Sequence, residues 1–172
     1  MRRWVAVVPL TALVGLAAVG AIQLARPDKA EFSLSANRAA PETSFAVLNG
    51  EQEVQFAPPP DGKTIALNLF ASWCGPCRAE HGELMKLSGD YPERVYGLAY
   101  KDTPQATREF LTELGDPFRL VGMDVDGQGG LDFGLTGVPE TFVIGPDGTI
   151  KLHVRGPMND ATRLAVAEAL AD

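Results

Sequence analysis

Residues 64–70, T-I-A-L-N-L-F, form a nearly unbroken apolar run, the signature of a strand buried on both faces. A strand of that kind needs cover above and below, so the chain is committed to a sheet packed between other layers. A helix is expected from about Gly75 to Ser88, and a further strand from Val95 to Tyr100. Strand, helix and strand in that order make a βαβ unit with parallel strands and a right-handed crossover.

The flanking sequence extends this unit in both directions. Residues 45–48 and 54–56, joined through Asn49-Gly50, predict a small hairpin, which the triple proline at 58–60 ends. Thr103 and Pro104 supply an N-cap and a first-turn proline ahead of Ala106, Phe110, Leu111 and Leu114, spaced along one helical face. Asp116-Pro117 stops that helix, and a short strand near residues 118–123 and a glycine-rich stretch follow. Residues 141–144, the turn 145–148 and residues 149–155 read as a second hairpin. In its last strand Ile150, Leu152 and Val154 alternate with Lys151, His153 and Arg155, which predicts one buried and one wet face. Asn159 caps a final helix. Residues 45–172 are expected to form one domain.

The leader has a different character. From Trp4 to Ala25 no residue is charged, and a helix of about 22 residues spans about 33 Å, enough to cross a bilayer. Arg2 and Arg3 precede the run, so the start is expected to stay in the cytoplasm and everything after Ala25 to be exported. Residues 1–26 are therefore read as a membrane anchor and 27–44, polar and weakly patterned, as a tether. The rival is a cleaved signal peptide, for which Ala18, Val19 and Gly20 offer small residues, although the apolar run exceeds a usual signal core. Either way the domain works where dithiols tend to be oxidised. Of the 15 basic residues three lie in the leader, while all 22 acids follow it, so the domain is more acidic than the net −7 of the whole chain. That balance argues against nucleic acid as a partner.

The chemistry concentrates at W-C-G-P-C, residues 73–77, where the buried strand ends and the helix begins. Cys74 then occupies the helix N-terminus, whose unpaired N–H groups and dipole stabilise a thiolate. Cys77 lies one turn on, near enough to close a disulfide with it. An exposed Cys74 can attack a partner's disulfide, and Cys77 can resolve the mixed disulfide. Pro76 suits the first turn, which wastes no N–H there. Glu80, three residues after Cys77, shares its helix face and could exchange a proton with it.

Three blocks carry a resemblance: A-S-W-C-G-P-C-R-A-E-H (71–81), Y-G-L-A-Y-K-D (96–102) and G-V-P-E-T-F (137–142). Together they resemble the CcmG/DsbE family of membrane-anchored thiol:disulfide oxidoreductases of cytochrome c maturation, TlpA-like members of the thioredoxin superfamily. The resemblance implies an α/β thioredoxin fold: a central mixed sheet flanked by helices, with an extra N-terminal hairpin, behind a transmembrane helix. It implies a Cys74–Cys77 dithiol that reduces the haem-binding cysteines of apocytochrome c, or a partner's disulfide, on the periplasmic side of the inner membrane. A membrane thiol transporter of the DsbD/CcdA type would re-reduce it. Pro139 would be a cis-proline facing the disulfide, with Trp73, Gly75, Pro76, Val138 and Glu140 completing the substrate side. Glu80 and Glu140 match the family's acidic positions, whereas Asn68 stands where thioredoxin has a buried Asp.

Other readings of the same residues stay open. A broader TlpA/ResA-type reductase would serve other clients, and a copper-handling chaperone would use the two sulfurs as ligands. His81 stands near them, but no fourth ligand is evident, and no metal or cofactor beyond the dithiol is expected. Covalent haem is excluded because Arg78, not His, follows Cys77. Residues 124–129 imitate the start of a calcium loop, but Leu135 stands where the closing Glu is needed.

Overall fold

The structure, a computed structural model, describes residues 15–16, 31–33 and 38–171. Apart from the helical pair 15–16, the expected anchor lies outside the described residues, as do 27–30 and 34–37 of the expected tether. Among the described residues no helix is long and apolar enough to cross a membrane.

The elements run β1 (Glu31–Ser33), β2 (Arg38–Ala39), β3 (Ser44–Val47), β4 (Glu53–Gln55), β5 (Ile65–Phe70), α1 (Gly75–Asp90), β6 (Val95–Tyr100), α2 (Pro104–Leu114), β7 (Val121–Asp124), α3 (Gln128–Asp132), β8 (Glu140–Ile144), β9 (Thr149–Arg155) and α4 (Asp160–Ala171). They build one mixed sheet in the order β1-β9-β8-β5-β6-β7-β3-β4, with β2 also pairing β9. β5, β6 and β7 are parallel, while β8 runs antiparallel to β5 and β9 antiparallel to β8. β5 is central and every one of its residues is buried, as its apolar run requires.

The alternation of side chains along β5 divides the core in two. Ala66 and Phe70 join Leu84 and Leu87 of α1, Phe110 of α2 and Val166 and Leu170 of α4 on one face. Ile65, Leu67 and Leu69 join Phe45, Phe56, Phe133 and Phe142 on the other. Thr103 caps α2 through its hydroxyl, which accepts the Ala106 N–H at 3.2 Å, and Asn159 Oδ1 accepts the Thr162 N–H at 3.0 Å to start α4.

Three stretches differ from the sequence expectation. Part of the presumed tether forms β1 and β2, which pair antiparallel with β9 and cover what would otherwise be an edge strand. His153 is buried rather than wet, because a register shift between Val143 and Ile144 puts Ile150 and Leu152 in different core clusters, so the expected alternation breaks. His153 stacks on Phe142, and Glu140 on the neighbouring strand partners its ring. The glycine-rich stretch holds the short helix α3, whose Gly129 and Gly130 N–H groups donate to the buried Asp124 carboxylate at 2.9 and 2.8 Å. A Cβ on Gly129 would lie 2.2 Å from the Phe45 ring, and one on Gly130 2.6 Å from the Tyr100 ring, so only glycine permits this approach.

Candidate active site

The site lies where the C-terminal end of β5 meets α1. Cys74 is the N-cap of α1 in extended backbone, Pro76 lies in the first turn, and Cys74 and Cys77 are joined as a disulfide. The Cys77 N–H donates to Cys74 Sγ at 3.1 Å, so the sulfur occupies the place of a capping oxygen at the positive end of the helix. In the reduced state the same N–H would stabilise a Cys74 thiolate.

The loop before β8 closes over the sulfurs. The Val138–Pro139 peptide is cis, and the Val138 carbonyl oxygen lies 3.5 Å from Cys74 Sγ. Cys74 was expected to be exposed; this loop reduces it to 5% accessible, against 1% for Cys77. The open rim is formed instead by Gly75 and Pro76, both exposed, half-buried Val138, and Trp73, which keeps 60% of its surface. Trp73 is pinned by its indole N–H, which donates to the Lys101 carbonyl at 3.1 Å.

Asp102, which no sequence argument singled out, holds that rim from beneath. Its buried carboxylate accepts the Ser72 N–H at 2.7 Å, the Ser72 hydroxyl at 3.0 Å and the Thr103 N–H at 2.8 Å. The end of β6 thereby fixes the two residues that precede Cys74. The only sequence signal was its place in the Y-G-L-A-Y-K-D block.

Glu80 is buried on the α1 face of the sheet. Its carboxylate accepts from Asn68 Nδ2 at 2.9 Å and from the Met158 N–H at 2.5 Å, while Asn68 Nδ2 also donates to Thr141 Oγ1 at 3.0 Å. Burial pushes the Glu80 carboxyl up to about 7, against the opposing pull of the two hydrogen bonds. Asn68 Oδ1 is buried with no partner among the described residues. Asn68 thus steadies a neighbouring acid instead of titrating itself, and Thr141 and Met158 are members that the sequence did not reveal.

Glu140 goes elsewhere. Thr141 and Glu140 are consecutive on β8 and point to opposite faces, so the two expected carboxylates are separated by the sheet. Glu140 is buried against His153, and burial raises its pKa less than the His153 and Thr136 hydrogen bonds lower it. His81 is also buried; its ring N–H donates to the Gly115 carbonyl at 2.9 Å, which ties α1 to the end of α2. Among the described residues no cluster of three or more His, Cys, Asp or Glu is placed to hold a metal ion.

Known proteins agree with this geometry. The Redoxin family model matches residues 35–170. The thiol:disulfide interchange protein HelX of Rhodobacter capsulatus is 38% identical over 154 residues, covering 88% of this chain and 86% of HelX. DsbE of Escherichia coli is 38% identical over 165 residues, 92% of this chain and 89% of DsbE. Among solved structures, MTB DsbF superposes with a TM-score of 0.65 at 26% identity, over 78% of this chain and 99% of its own. A DsbF homologue from Corynebacterium diphtheriae reaches a TM-score of 0.69 at 18% identity, over 84% of this chain and 96% of its own, which supports the fold alone. A disulfide at a helix start, a thioredoxin-like mixed sheet and relatives of this kind have one meaning: the chain belongs to the Redoxin family, among the DsbE- and HelX-like thiol:disulfide interchange proteins, and is a protein-disulfide oxidoreductase with Cys74 and Cys77 as its redox pair.

Proposed function

We propose that this oxidoreductase works in the reducing direction, anchored by residues 4–25 in the inner membrane with its domain in the periplasm. Its client is the disulfide of the haem-binding cysteines in apocytochrome c, or of a partner that handles them. A membrane thiol transporter of the DsbD/CcdA type returns the dithiol to its reduced form. The observation that carries the chemistry is the Cys74 sulfur seated as the cap of α1, with the Cys77 N–H donating to it at 3.1 Å.

The reduced Cys74 thiolate attacks one sulfur of the client disulfide, and the other client sulfur leaves as a thiolate and takes up a proton. Cys77 then loses its proton and attacks Cys74, releasing the second client thiol and closing the Cys74–Cys77 disulfide. Two electrons pass from the dithiol to the client, and the protons balance. Glu80, with a pKa near neutrality and a place one turn after Cys77, receives the Cys77 proton. Trp73, Gly75, Pro76 and the Val138 main chain contact the polypeptide around the client disulfide, and Pro139 sets the backbone there.

Deleting the gene should abolish holocytochromes c while leaving general periplasmic disulfides unchanged, and the wild-type chain, but not its C74S variant, should restore them. Unchanged c-type cytochromes in the deletion strain would transfer the reading to a broader reductase with other clients.

A further inference from the structure

Glu140 follows Pro139 directly, and its carboxylate turns back beneath the loop that carries Val138. One oxygen accepts the Thr136 N–H at 3.0 Å and also the Thr136 hydroxyl; the other accepts His153 Nε2–H at 2.6 Å. Among the described residues, the only other hydrogen-bond-range contact at 136–138 is between the Val138 carbonyl and Cys74. The Glu140 carboxylate is therefore the polar fastening of a loop whose Thr136 and Gly137 are exposed and whose Val138 packs half-buried against the core.

A carboxylate with 1% exposure persists in its charged form only if its donors are complete. Among the described residues, His153 is the side chain within ion-pair distance of it. The imidazole is itself held: it stacks on its cross-strand neighbour Phe142, with ring centres 4.0 Å apart and planes 20° from parallel. Arg38 is engaged elsewhere, donating to the Phe133 carbonyl at 2.6 Å and lying 6.0 Å from the Phe142 ring. Arg155 is the half-buried cross-strand neighbour of Glu140 on the same face, but it makes no ion pair with that carboxylate, and its Nε has no partner among the described residues.

We propose that His153 is a positioning residue for thiol–disulfide interchange: through Glu140 and Thr136 it sets the Val138 main chain beside Cys74, and so decides how a substrate polypeptide is seated for attack. The inference rests on the reading of Val138 as the substrate-facing edge. It assigns Glu140 to the underside of that edge, out of reach of a client. A small disulfide that makes no main-chain contact needs only the Cys74 sulfur and is indifferent to the loop, whereas a peptide disulfide must fit against it.

The test compares the reduced full-length protein with its H153F, H153Q and T136V variants, each reacted with 2-hydroxyethyl disulfide and with a peptide bearing a Cys-x-x-Cys disulfide. H153F keeps a ring on Phe142 but removes the donor; H153Q restores an N–H donor. Displacing a reacting partner by a fraction of an ångström is expected to slow the peptide reaction about tenfold in H153F and about threefold in T136V. H153Q should recover most of the wild-type rate, and the small-disulfide rates should stay within about twofold throughout. An unchanged peptide rate in H153F, or an equal loss toward both disulfides, overturns the proposal. If H153F does not fold, the exposed-site variant T136V decides in the same way: selective loss toward the peptide supports the proposal, and no selective loss overturns it. A wild-type protein that shows no preference for the peptide would overturn the substrate-edge reading, and this inference with it.

Discussion

Cys74 and Cys77 differ in their surroundings more than in their exposure. Cys74 has the helix N-terminus and the Val138 carbonyl beside it, whereas Cys77 lies in the core on the helix face that carries Glu80 one turn on. Replacing Cys77 by Ser should therefore leave attack intact and accumulate a mixed disulfide with the client through Cys74; Cys74→Ser should abolish peptide reduction. Non-reducing gels of the two variants would check this, and normal turnover by the Cys77 variant would refute the assignment. Glu80 carries a second prediction at this scale. Its folded pKa, raised from 4.5 to about 7, means that the folded state binds more protons than the unfolded state between those values. Stability of the disulfide form should thus be greatest below about pH 4.5 as far as this group is concerned, fall as pH rises to about 7, and level off, a change on the order of 3 kcal/mol at most. Glu80→Gln should flatten that slope in denaturant titrations at pH 5 and pH 8. The helical spacing predicts that in the reduced protein the Glu80 and Cys77 charges oppose each other, in which case the same variant should lower the apparent thiol pKa values read from alkylation rate against pH. Superimposable curves would leave Glu80 without influence on the thiols.

At the scale of elements, the site is made by the ends of strands. The termini of β5 and β6 meet through Asp102, which takes three donors from the turn before Cys74 and from the start of α2. Asp102→Ala leaves those donors without their acceptor and should cost roughly 2–4 kcal/mol at about 1 kcal/mol per lost bond plus desolvation. It should also release Trp73, visible as altered tryptophan emission before unfolding; a variant of wild-type stability and spectrum would refute the role. The presence of these elements was plain in the sequence, since β5, α1, β6, α2 and the β8–β9 hairpin fall where periodicity and capping residues put them. Which face His153 takes was not. Alternation along β9 assumes an unbroken strand, and the register shift against β8 between Val143 and Ile144 sends Ile150 and Leu152 to different faces and turns His153 onto Phe142.

Across the whole molecule, residues 31–33 and 38–39, ahead of the domain expected from the sequence, are part of the sheet. β1 and β2 pair with β9, Ala40 N–H donates to the Gly148 carbonyl at 2.9 Å, and Arg38 reaches the Phe133 carbonyl at the end of α3. A soluble form beginning at Pro27 should keep the stability of the domain, whereas one beginning at Pro41 bares β9 as an edge and should lose thermal stability and aggregate on concentration. Light scattering and thermal melts of the two forms would check this. The full-length protein is expected to stay in the membrane fraction with its leader intact; a soluble periplasmic form beginning near Ala21 would show that the leader is a cleaved signal instead.

By itself the sequence determined what depends on neighbours along the chain. The buried βαβ unit followed from apolar runs, the seat of Cys74 from a strand running into a proline-marked helix, and the place of Glu80 one turn beyond Cys77 from helical spacing. Tertiary structure decided what depends on register between strands far apart in the chain. Asn68 meets Thr141 only because β8 lies against β5, and Glu140 meets His153 only because β9 lies against β8. Two acidic residues that matched one family pattern were thereby sent to opposite faces of the sheet: Glu80 to the buried Asn68 and Met158 N–H, Glu140 to His153 and Thr136 of the Val138 loop. The physical reason is that a polar group excluded from water must find its partner wherever the packed backbone supplies one, and hydrophobic periodicity tells which face is buried but not which partner waits there.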